Sequence, residues 1–240
     1  MHPLQTTLSL LLCYLAVLAS SPAVAQGLWS LRITEAMSSS GVGGTADWWE
    51  VTNFGGSAVD ITGWKFDDNS FAFANSVALN GITSIGPGES AIFVETASPL
   101  TDIPTFRTFW GGSAATAAIG SYTGSGVGLS SAGDGIVLFS STGSEVTPRV
   151  TFGAATTGSS FYYQYDAVGD PTTSPNTAAF VSTAGTLSGQ ITYLSATSVP
   201  QNIGSPGTAI NAVPEPSSVA TVACGGLLAA GCLARRRHRN

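Results

Sequence analysis

Residues 47–64, which read DWWEVTNFGGSAVDITGW, constrain the fold of this chain more than any other stretch. Two runs rich in Trp, Val, Thr and Ile flank the segment 53–57, which reads NFGGS. β-Branched and aromatic residues suit a half-buried strand, whereas Asn, Gly and Ser are typical of turns, so the pattern predicts a β-hairpin. Successive side chains of a strand alternate between its two faces, which separates Trp48 from Trp49. We therefore expect one of the two indole rings to enter the core and its neighbour to cover a rim.

This stretch resembles the opening hairpin of lamin-tail domains from secreted bacterial proteins, in which a D-W-[WIV]-E-[ILV]-x-N strand and a short turn precede V-D-[IL]-[ST]-G-W. The positions that match are Asp47, Trp48, Glu50, Val51, Asn53, Val59, Asp60, Gly63 and Trp64. The resemblance implies an all-β chain with the immunoglobulin-like β-sandwich of that family. No single catalytic activity defines the family, so the resemblance implies no catalytic residue.

Further phrases of the same family follow along the chain. Residues 33–37, ITEAM, resemble its opening I-T-E-[IV]-M, and residues 85–93 match I-x-P-G-[EQ]-x-x-[VI]-[FV]. The segment around Asp134 resembles L-[SN]-N-x-G-D-x-[IV]-x-L, and residues 203–211 resemble the closing S-P-G-x-x-N. The resemblance therefore predicts one β-sandwich domain over residues 27–211.

The local patterns inside this domain predict several further elements. Aromatic-rich strands are expected at 71–73 and 106–111, a strand pair at 82–85 and 89–95, and an exposed low-complexity loop at 112–128. The strand pair is joined at Pro87-Gly88, a turn that requires a positive φ at its glycine.

Composition supports a β-rich exported domain and argues against nucleic-acid binding. Only 9% of the residues are charged and 29 are glycines, which fits short strands joined by small-residue turns. Apart from residues 235–239, the chain has four basic residues, against 13 acidic residues if Glu215 is set aside. Such a surface repels a phosphate backbone. Cys13, Cys224 and Cys232 lie in the terminal apolar segments, so the domain has neither a disulfide framework nor a thiolate zinc site.

Residues 1–25 are predicted to be a secretory signal peptide. An apolar run covers residues 8–18, and Ala23-Val24-Ala25 forms a small-residue cleavage site before Gln26. The alternative is an uncleaved anchor, for which the apolar run is short. We therefore expect the protein to be exported.

Residues 213–239 have three parts in a fixed order. Val213-Pro214-Glu215-Pro216, within the motif 213–217, precedes an apolar transmembrane helix at 218–234. The basic tail 235–239 contains Arg235, Arg236, Arg237 and Arg239, a cluster that would stay in the cytoplasm.

This order resembles the PEP-CTERM sorting signal and implies an exosortase as the processing partner. We expect the protein to be anchored in the membrane by this helix before sorting, and then to reach the cell surface or the extracellular matrix. An ordinary C-terminal membrane tail with a proline-rich linker is the alternative.

The sequence offers few candidate catalytic residues. His2 and His238 are the only histidines and lie outside the domain, so neither a Ser-His-Asp site nor a His-ligated metal is available, and no cofactor is expected. The remaining candidates are the carboxylates Asp47, Glu50, Asp67, Asp68 and Asp134. A carboxylate-dependent hydrolase would need two of them to converge in one cleft.

Two candidate binding sites also have simpler structural explanations. Residues 67–69 carry three oxygen ligands that could hold calcium, but they lack the spacing of a calcium loop and fit a solvated turn. Residues 161–165, FYYQY, could stack on a sugar, but a strand with alternate rings buried fits the pattern better.

The sequence therefore predicts a non-catalytic exported protein with a structural or adhesive β-sandwich. Its expected partners are the exosortase, the membrane and components of the cell envelope or extracellular polymer. A carbohydrate- or calcium-binding module is the alternative, followed by a carboxylate hydrolase.

Overall fold

The computed structural model describes residues 30–41, 43–124, 126–171, 179–184, 190–191 and 201–209. Two predicted segments lie outside these ranges. They are the signal peptide with its cleavage residues, and the sorting signal with its motif, helix and arginine cluster. Within the described ranges, no helix combines the length and apolarity that a membrane crossing requires.

Short strands dominate the described chain. They are β1 Leu31–Met37, β2 Trp48–Asn53, β3 Val59–Asp60, β4 Lys65–Asp67, β5 Val77–Ala78, β6 Ser84–Ile85, β7 Ser90–Glu95, β8 Ala118–Tyr122, β9 Asp134–Phe139, β10 Val150–Phe152, β11 Phe161–Tyr163, β12 Ala179–Val181, β13 Gln190–Ile191 and β14 Ile203–Gly204. One α-helix, α1, spans Pro99–Trp110, and a 3₁₀ helix spans Gly112–Ala115.

Two main sheets enclose the principal core. The larger has the order β12-β11-β1-β2-β7-β8 and the smaller β10-β9-β4-β5, while β13-β14 and β3-β6 form two-stranded sheets. Trp49 and Phe93 of the larger sheet meet Phe66 of the smaller one, and the Trp49 ring stacks on Phe93 with centroids 4.7 Å apart. This arrangement agrees with the predicted all-β sandwich, to which α1 is an addition.

Strand β2 is buried along its whole length because both of its faces are covered. The inner face packs against the smaller sheet, and α1 lies over part of the outer face. Trp48 on that outer face joins a second core with Phe106 and Trp110, and both rings meet it edge to face at 5.8 and 5.5 Å. The expectation that one tryptophan would cover a rim is therefore wrong, since both are fully buried.

The strand expected at 106–111 is instead the second half of α1. Pro99 suits the first turn of a helix, and Phe106, Phe109 and Trp110 follow at the three- and four-residue spacing of one helical face. All three rings are buried against the outer face of the larger sheet. The aromatic content of this segment suggested a strand, but its spacing is helical.

Residues 47–64 do not form a hairpin. Strand β2 pairs with β1 and β7, whereas β3 pairs with β6, so the turn at 53–57 carries the chain from one sheet to another. The Asn53 side chain holds this crossing, because its amide nitrogen donates to the carbonyls of Ser57 and Ile85 at 2.8 and 3.0 Å. Its oxygen accepts the backbone N–H of Gly55 at 2.8 Å. Turn chemistry was correctly located, but the partner strands were not.

Three other expectations also change. Residues 71–73 form turns, and Phe71 has a φ of 48°. Strands β6 and β7, which flank the Pro87-Gly88 turn, belong to different sheets, although Gly88 has the expected positive φ of 71°. The segment 112–128 is not a plain loop, because it contains the 3₁₀ helix and β8, which pairs in parallel with β7.

Candidate functional site

One row of side chains crosses the outer face of the larger sheet. From edge to edge, the residues in register are Phe180, Tyr162, Glu35, Glu50, Ile92 and Ile119. Helix α1 covers the two isoleucines, while Tyr162 and Phe180 remain half-buried. The middle of the row places two glutamates, Glu35 and Glu50, directly opposite each other on the central strands β1 and β2. We call these two residues the glutamate pair.

Residues 201–209 run over the glutamate pair and are called the C-terminal strap. The Ile203 N–H donates to the Gly158 carbonyl at 2.7 Å, and the Ser160 N–H donates to the Ile203 carbonyl at 3.0 Å. Further along, the Thr208 hydroxyl donates to Ser113 Oγ at 2.6 Å. The strap is thereby tied to β11 at one end and to the 3₁₀ helix at the other.

Glu35 is enclosed by serine donors. The Ser205 N–H and hydroxyl donate to its two carboxyl oxygens, both at 2.8 Å, so a single strap residue engages both oxygens. The Ser160 hydroxyl also donates to Glu35 Oε1 and lies 2.7 Å from the Ser182 hydroxyl.

Glu50 is held in the same way from the other side. The Gly207 N–H of the strap donates to Glu50 Oε2 at 2.6 Å, and the Thr34 hydroxyl donates to Oε1 at 2.6 Å. Thr34 reaches this position because the register between β1 and β2 shifts between Ile33 and Glu35. A chain of hydroxyls continues from Thr34 through Thr52 to Ser90.

Burial changes the proton affinity of both carboxyls. Desolvation, followed by repulsion from Glu50, raises the pKa of Glu35 from 4.5 to about 8. Desolvation likewise raises the pKa of Glu50 to about 7, against the hydrogen bonds from Thr34 and Gly207 that favour the charged form. The pair therefore retains at least one proton near neutral pH.

The glutamate pair is built to hold structure rather than to meet a substrate. Glu35 is 1% exposed and Glu50 is 0% exposed, and their oxygens are engaged by strap and sheet donors. A catalytic carboxylate must be within hydrogen-bond reach of a bound substrate, and these are sealed from solvent. What the arrangement does is fasten the strap to the central strands.

Asp47 lies on the other face of β2 and does not join the glutamate pair. It projects inward at the end of the sandwich, where burial and then repulsion from Glu95 raise its pKa to about 7. Glu95 lies at the end of the adjacent strand β7, and its backbone N–H donates to the Asp47 carbonyl at 2.8 Å. Asp47 and Glu50, two of the candidate carboxylates, thus lie on opposite faces of the sheet.

Asp67 and Asp134 have structural roles in neighbouring turns. Asp134 accepts the N–H groups of Asn69, Ser130 and Gly135 at 3.0, 2.6 and 2.8 Å. Asp67 Oδ2 accepts the Ser70 hydroxyl and the Ala72 N–H, both at 2.7 Å. Asp67 is buried, so residues 67–69 are only partly the solvated turn that was expected. No group of three metal-ligating side chains with a suitable arrangement occurs within the described ranges.

The remaining residues of the family pattern shape turns and packing of the backbone. Asp60 is exposed and its carboxylate accepts the Thr62 N–H at 2.8 Å, while Gly63 has a φ of 74°. Trp64 is partly buried against the principal core. These residues shape the crossing between β3 and β4, and none of them contacts the glutamate pair.

The aromatic strand β11 follows the predicted alternation. Phe161 and Tyr163 are buried in the principal core, as is Tyr165 beyond the end of the strand. Tyr162 points to the outer face and stacks on Phe180 with centroids 5.4 Å apart and an interplanar angle of 28°. Within the predicted sugar-stacking patch 161–165, Tyr162 is the half-exposed ring, and Phe180, from outside that patch, stacks on it.

Sequence reasoning did not identify the glutamate pair as a unit. The sequence presents Glu35 and the Ser205–Gly207 stretch only as parts of two separate family phrases. Glu35 and Ser205 are 170 residues apart along the chain. A carboxylate in an otherwise apolar strand phrase, ITEAM, was the available signal, since a buried charge requires partners. Which partners it has depends on the path of the strap.

Comparison with known proteins identifies one family. The family model described as Lamin Tail Domain matches residues 26–154 of this chain, which is more than half of it. No curated protein and no solved structure matches.

Proposed function

We propose that this chain, which belongs to the lamin tail domain family, is a non-catalytic structural or adhesive protein of the cell exterior. The family is an immunoglobulin-like, non-enzymatic one. The proposal extends this to where the domain acts: an exported protein that an exosortase sorts to the surface or into the extracellular matrix.

The observation that carries the non-catalytic part is the burial of the carboxylates. Glu50 is sealed under the strap, Asp134 is occupied by three backbone N–H groups, and Asp47 faces the opposite side of the sheet from Glu50. A hydrolase of this kind needs two carboxylates facing one cleft, at a separation that admits a sugar ring and water. The carboxylate hydrolase is therefore the least supported alternative.

The export and sorting part rests on the chain termini. The signal-peptide pattern at 1–25 and the order of motif, apolar segment and arginines at 213–239 support it. An acidic domain without cysteines also suits a secreted, soluble product.

Intact mass and fractionation of the protein from its native host test this proposal. We expect loss of the residues before Gln26 and of those beyond the Pro214–Pro216 region, with the product in the surface or matrix fraction. A variant with Pro214→Ala and Pro216→Ala should keep its C-terminus and stay in the membrane, while Asp60→Asn, on the domain surface, should be processed normally. A wild-type chain that keeps its full C-terminus in the inner membrane would refute the sorting part.

A carbohydrate-binding module is a second candidate, and the Tyr162–Phe180 stack favours it. Aromatic rings that are half-exposed on a sheet present a flat apolar surface to a sugar ring. Tyr162→Ala should abolish retention on matrix polysaccharide if this surface binds, whereas Leu100→Ala, at a residue 93% exposed elsewhere, should not. Equal retention of both variants would exclude the site.

A further inference from the structure

The C-terminal strap covers the glutamate pair, but it is held differently along its length. At Ile203, the strap is fixed by backbone hydrogen bonds to Gly158 and Ser160, which do not depend on pH. From Ser205 to Gly207 it is fixed through the two carboxyl groups. Beyond Gly207 the strap is also held by the hydrogen bond from Thr208 to Ser113, so residues 205–207 are the part whose attachment depends on the protonation of the pair.

The two glutamates cannot move apart. They lie directly opposite each other on β1 and β2, which are central strands of the six-stranded sheet with neighbours on both sides. Directly opposite residues of an antiparallel pair have Cβ atoms only about 5 Å apart, so like charges there are destabilising. The strap lies outside the large sheet and contacts the pair through Ser205 and Gly207, so its lifting would admit water to both carboxyls.

No positive charge among the described residues offsets a second negative charge. The described basic groups are engaged elsewhere: Arg32 with the Gly169 carbonyl, Lys65 over the Phe73 ring, Arg107 with the carbonyls of Ala114 and Ala115, and Arg149 with Glu145. Tyr162 is the other titratable neighbour in the row, next to Glu35. Ser90, Ser113, Ser160 and Ser182 face the pair or the strap from the surrounding elements and carry no charge.

The hydroxyl groups around the pair can serve a protonated carboxyl as well as an ionised one. When Glu35 is protonated on Oε2, its hydroxyl can donate to Ser205 Oγ, and Oε1 remains a carbonyl oxygen that accepts from the Ser160 hydroxyl and the Ser205 N–H. Thr34 can reorient toward Thr52 if Glu50 carries the proton. The N–H groups of Ser205 and Gly207 can only donate, and one carbonyl oxygen on each carboxyl satisfies them in the singly protonated state.

We propose that residues 205–209 are a pH-gated latch that closes while the glutamate pair holds a proton and opens when both carboxyls are ionised. On opening, the pair is hydrated, the Thr208–Ser113 hydrogen bond breaks and residues 205–209 detach, while Ile203 stays bonded to Gly158 and Ser160 beside β11. Extended chain spans roughly 3.4 Å per residue, so the link from the domain to the C-terminal segment lengthens by about 17 Å. The inference concerns the folded domain and does not depend on export or sorting.

Hydrogen exchange of individual amides in the full-length chain, purified in detergent and corrected for the intrinsic pH effect, tests the latch. Between about pH 7 and 8 the closed state holds one proton that the open state has released, so corrected exchange at Ser205 and Gly207 should accelerate about tenfold over this unit and level off at higher pH. Amides of β1 and β2 should remain protected over the same range, which separates latch opening from unfolding. A corrected rate at Ser205 and Gly207 that does not change between pH 7 and 8 would overturn the proposal.

Two variants and a control locate the effect in the pair. Glu35→Gln keeps an acceptor for Ser205 but leaves at most one charge, so the acceleration at Ser205 and Gly207 should disappear. Glu50→Gln should do the same and serves if Glu35→Gln does not fold, and the wild-type comparison of strap with sheet decides alone if neither does. Glu145→Gln, which removes an exposed carboxyl paired with Arg149, should retain the wild-type acceleration. Acceleration that persists in a folded Glu35→Gln or Glu50→Gln protein would refute the latch.

Discussion

Trp48 and Trp49 are adjacent in the sequence and are both fully buried, each in a different core on an opposite face of the same sheet. Trp49 stacks on Phe93 between the two main sheets, whereas Trp48 lies between the edges of Phe106 and Trp110 under α1. Neighbouring positions of a strand face opposite ways, so two adjacent buried rings require cover on both faces. The pair thus explains why α1 packs on the outer face of this β-sandwich.

Trp48→Ala should lower the free energy of unfolding by about 3–5 kcal/mol, because it leaves a cavity beneath α1. The indole N–H of Trp48 has no hydrogen-bond partner among the described residues, so Trp48→Phe loses no hydrogen bond and should cost about 1–2 kcal/mol. Urea unfolding measures both. Leu100→Ala on the exposed surface of α1 is the control and should change stability by less than about 0.5 kcal/mol. A small loss in Trp48→Ala would mean that α1 does not pack on this ring.

The sequence predicted the sheet-forming segments better than their partners. Strand β2, in the first half of the 47–64 stretch, and strand β7, expected at 89–95, were located because alternation and β-branched content are local signals. The pairing of β2 with β7 rather than with β3 depends on where the crossing at Asn53 directs the chain, which alternation does not specify. Glu50 was identified by pattern, but its partner Glu35 and its cover, the strap, are brought together only by tertiary structure.

Stability should fall as the pH rises from about 5 to 9, since the pKa of Glu35 is raised to about 8 and that of Glu50 to about 7. The folded chain then holds protons that the unfolded chain, with an ordinary glutamate pKa of 4.5, has already released. The contribution is therefore fully present below that ordinary value and is lost as the pH passes through the raised values. Urea midpoints at a series of pH values measure it.

Glu50→Gln should flatten this pH dependence, because the pair then has a single ionisable carboxyl. Asp60→Asn is the matched control: Asp60 is exposed and its pKa is lowered by the Thr62 hydrogen bonds, so it does not titrate in this range. A wild-type midpoint that is constant or rises from pH 5 to 9 would contradict the expectation.

Glu95→Gln should lower the pKa of Asp47 from about 7, because repulsion by Glu95 is the second cause of that raised pKa after burial. Burial remains in the variant, so the pKa should stay above the ordinary 3.8 of an aspartate. Titration of the Asp47 carboxyl carbon by NMR measures the shift. Glu145→Gln, whose carboxylate is paired with Arg149, should leave the Asp47 titration unchanged, and an equal effect of both variants would exclude a specific contact.

Gly120→Ala should destabilise the edge of the larger sheet. A Cβ at this position would lie 2.5 Å from the Asn80 carbonyl oxygen and 2.7 Å from Phe93 Cε1, so either β8 or the buried ring must shift. Overpacking of this kind costs roughly 1–3 kcal/mol. Gly56→Ala is the control, since its Cβ would meet nothing within 4 Å. Thermal unfolding should separate the two variants, and identical midpoints would show that β8 yields freely.

A chain that ends at residue 154, where the family match ends, should not fold to the native state. It lacks β11, which pairs with β1 beside Glu35, and it lacks the strap that supplies N–H donors to both glutamates. Two buried carboxyls without these donors carry a desolvation cost that hydrophobic packing must then offset. Near-ultraviolet circular dichroism should show no fixed environment for Trp48 and Trp49.

A chain that ends at residue 211 is the matched control, because it retains β11, β12 and the strap and removes only residues 212–240. We expect it to unfold cooperatively, with the tryptophan signals of the full-length protein. Cooperative unfolding of the 154-residue chain, with the same signals, would show that residues 155–209 are an accessory to the fold. Failure of the 154-residue chain alone would establish that residues 155–209, which carry β11, β12 and the strap donors of the glutamate pair, are part of the domain.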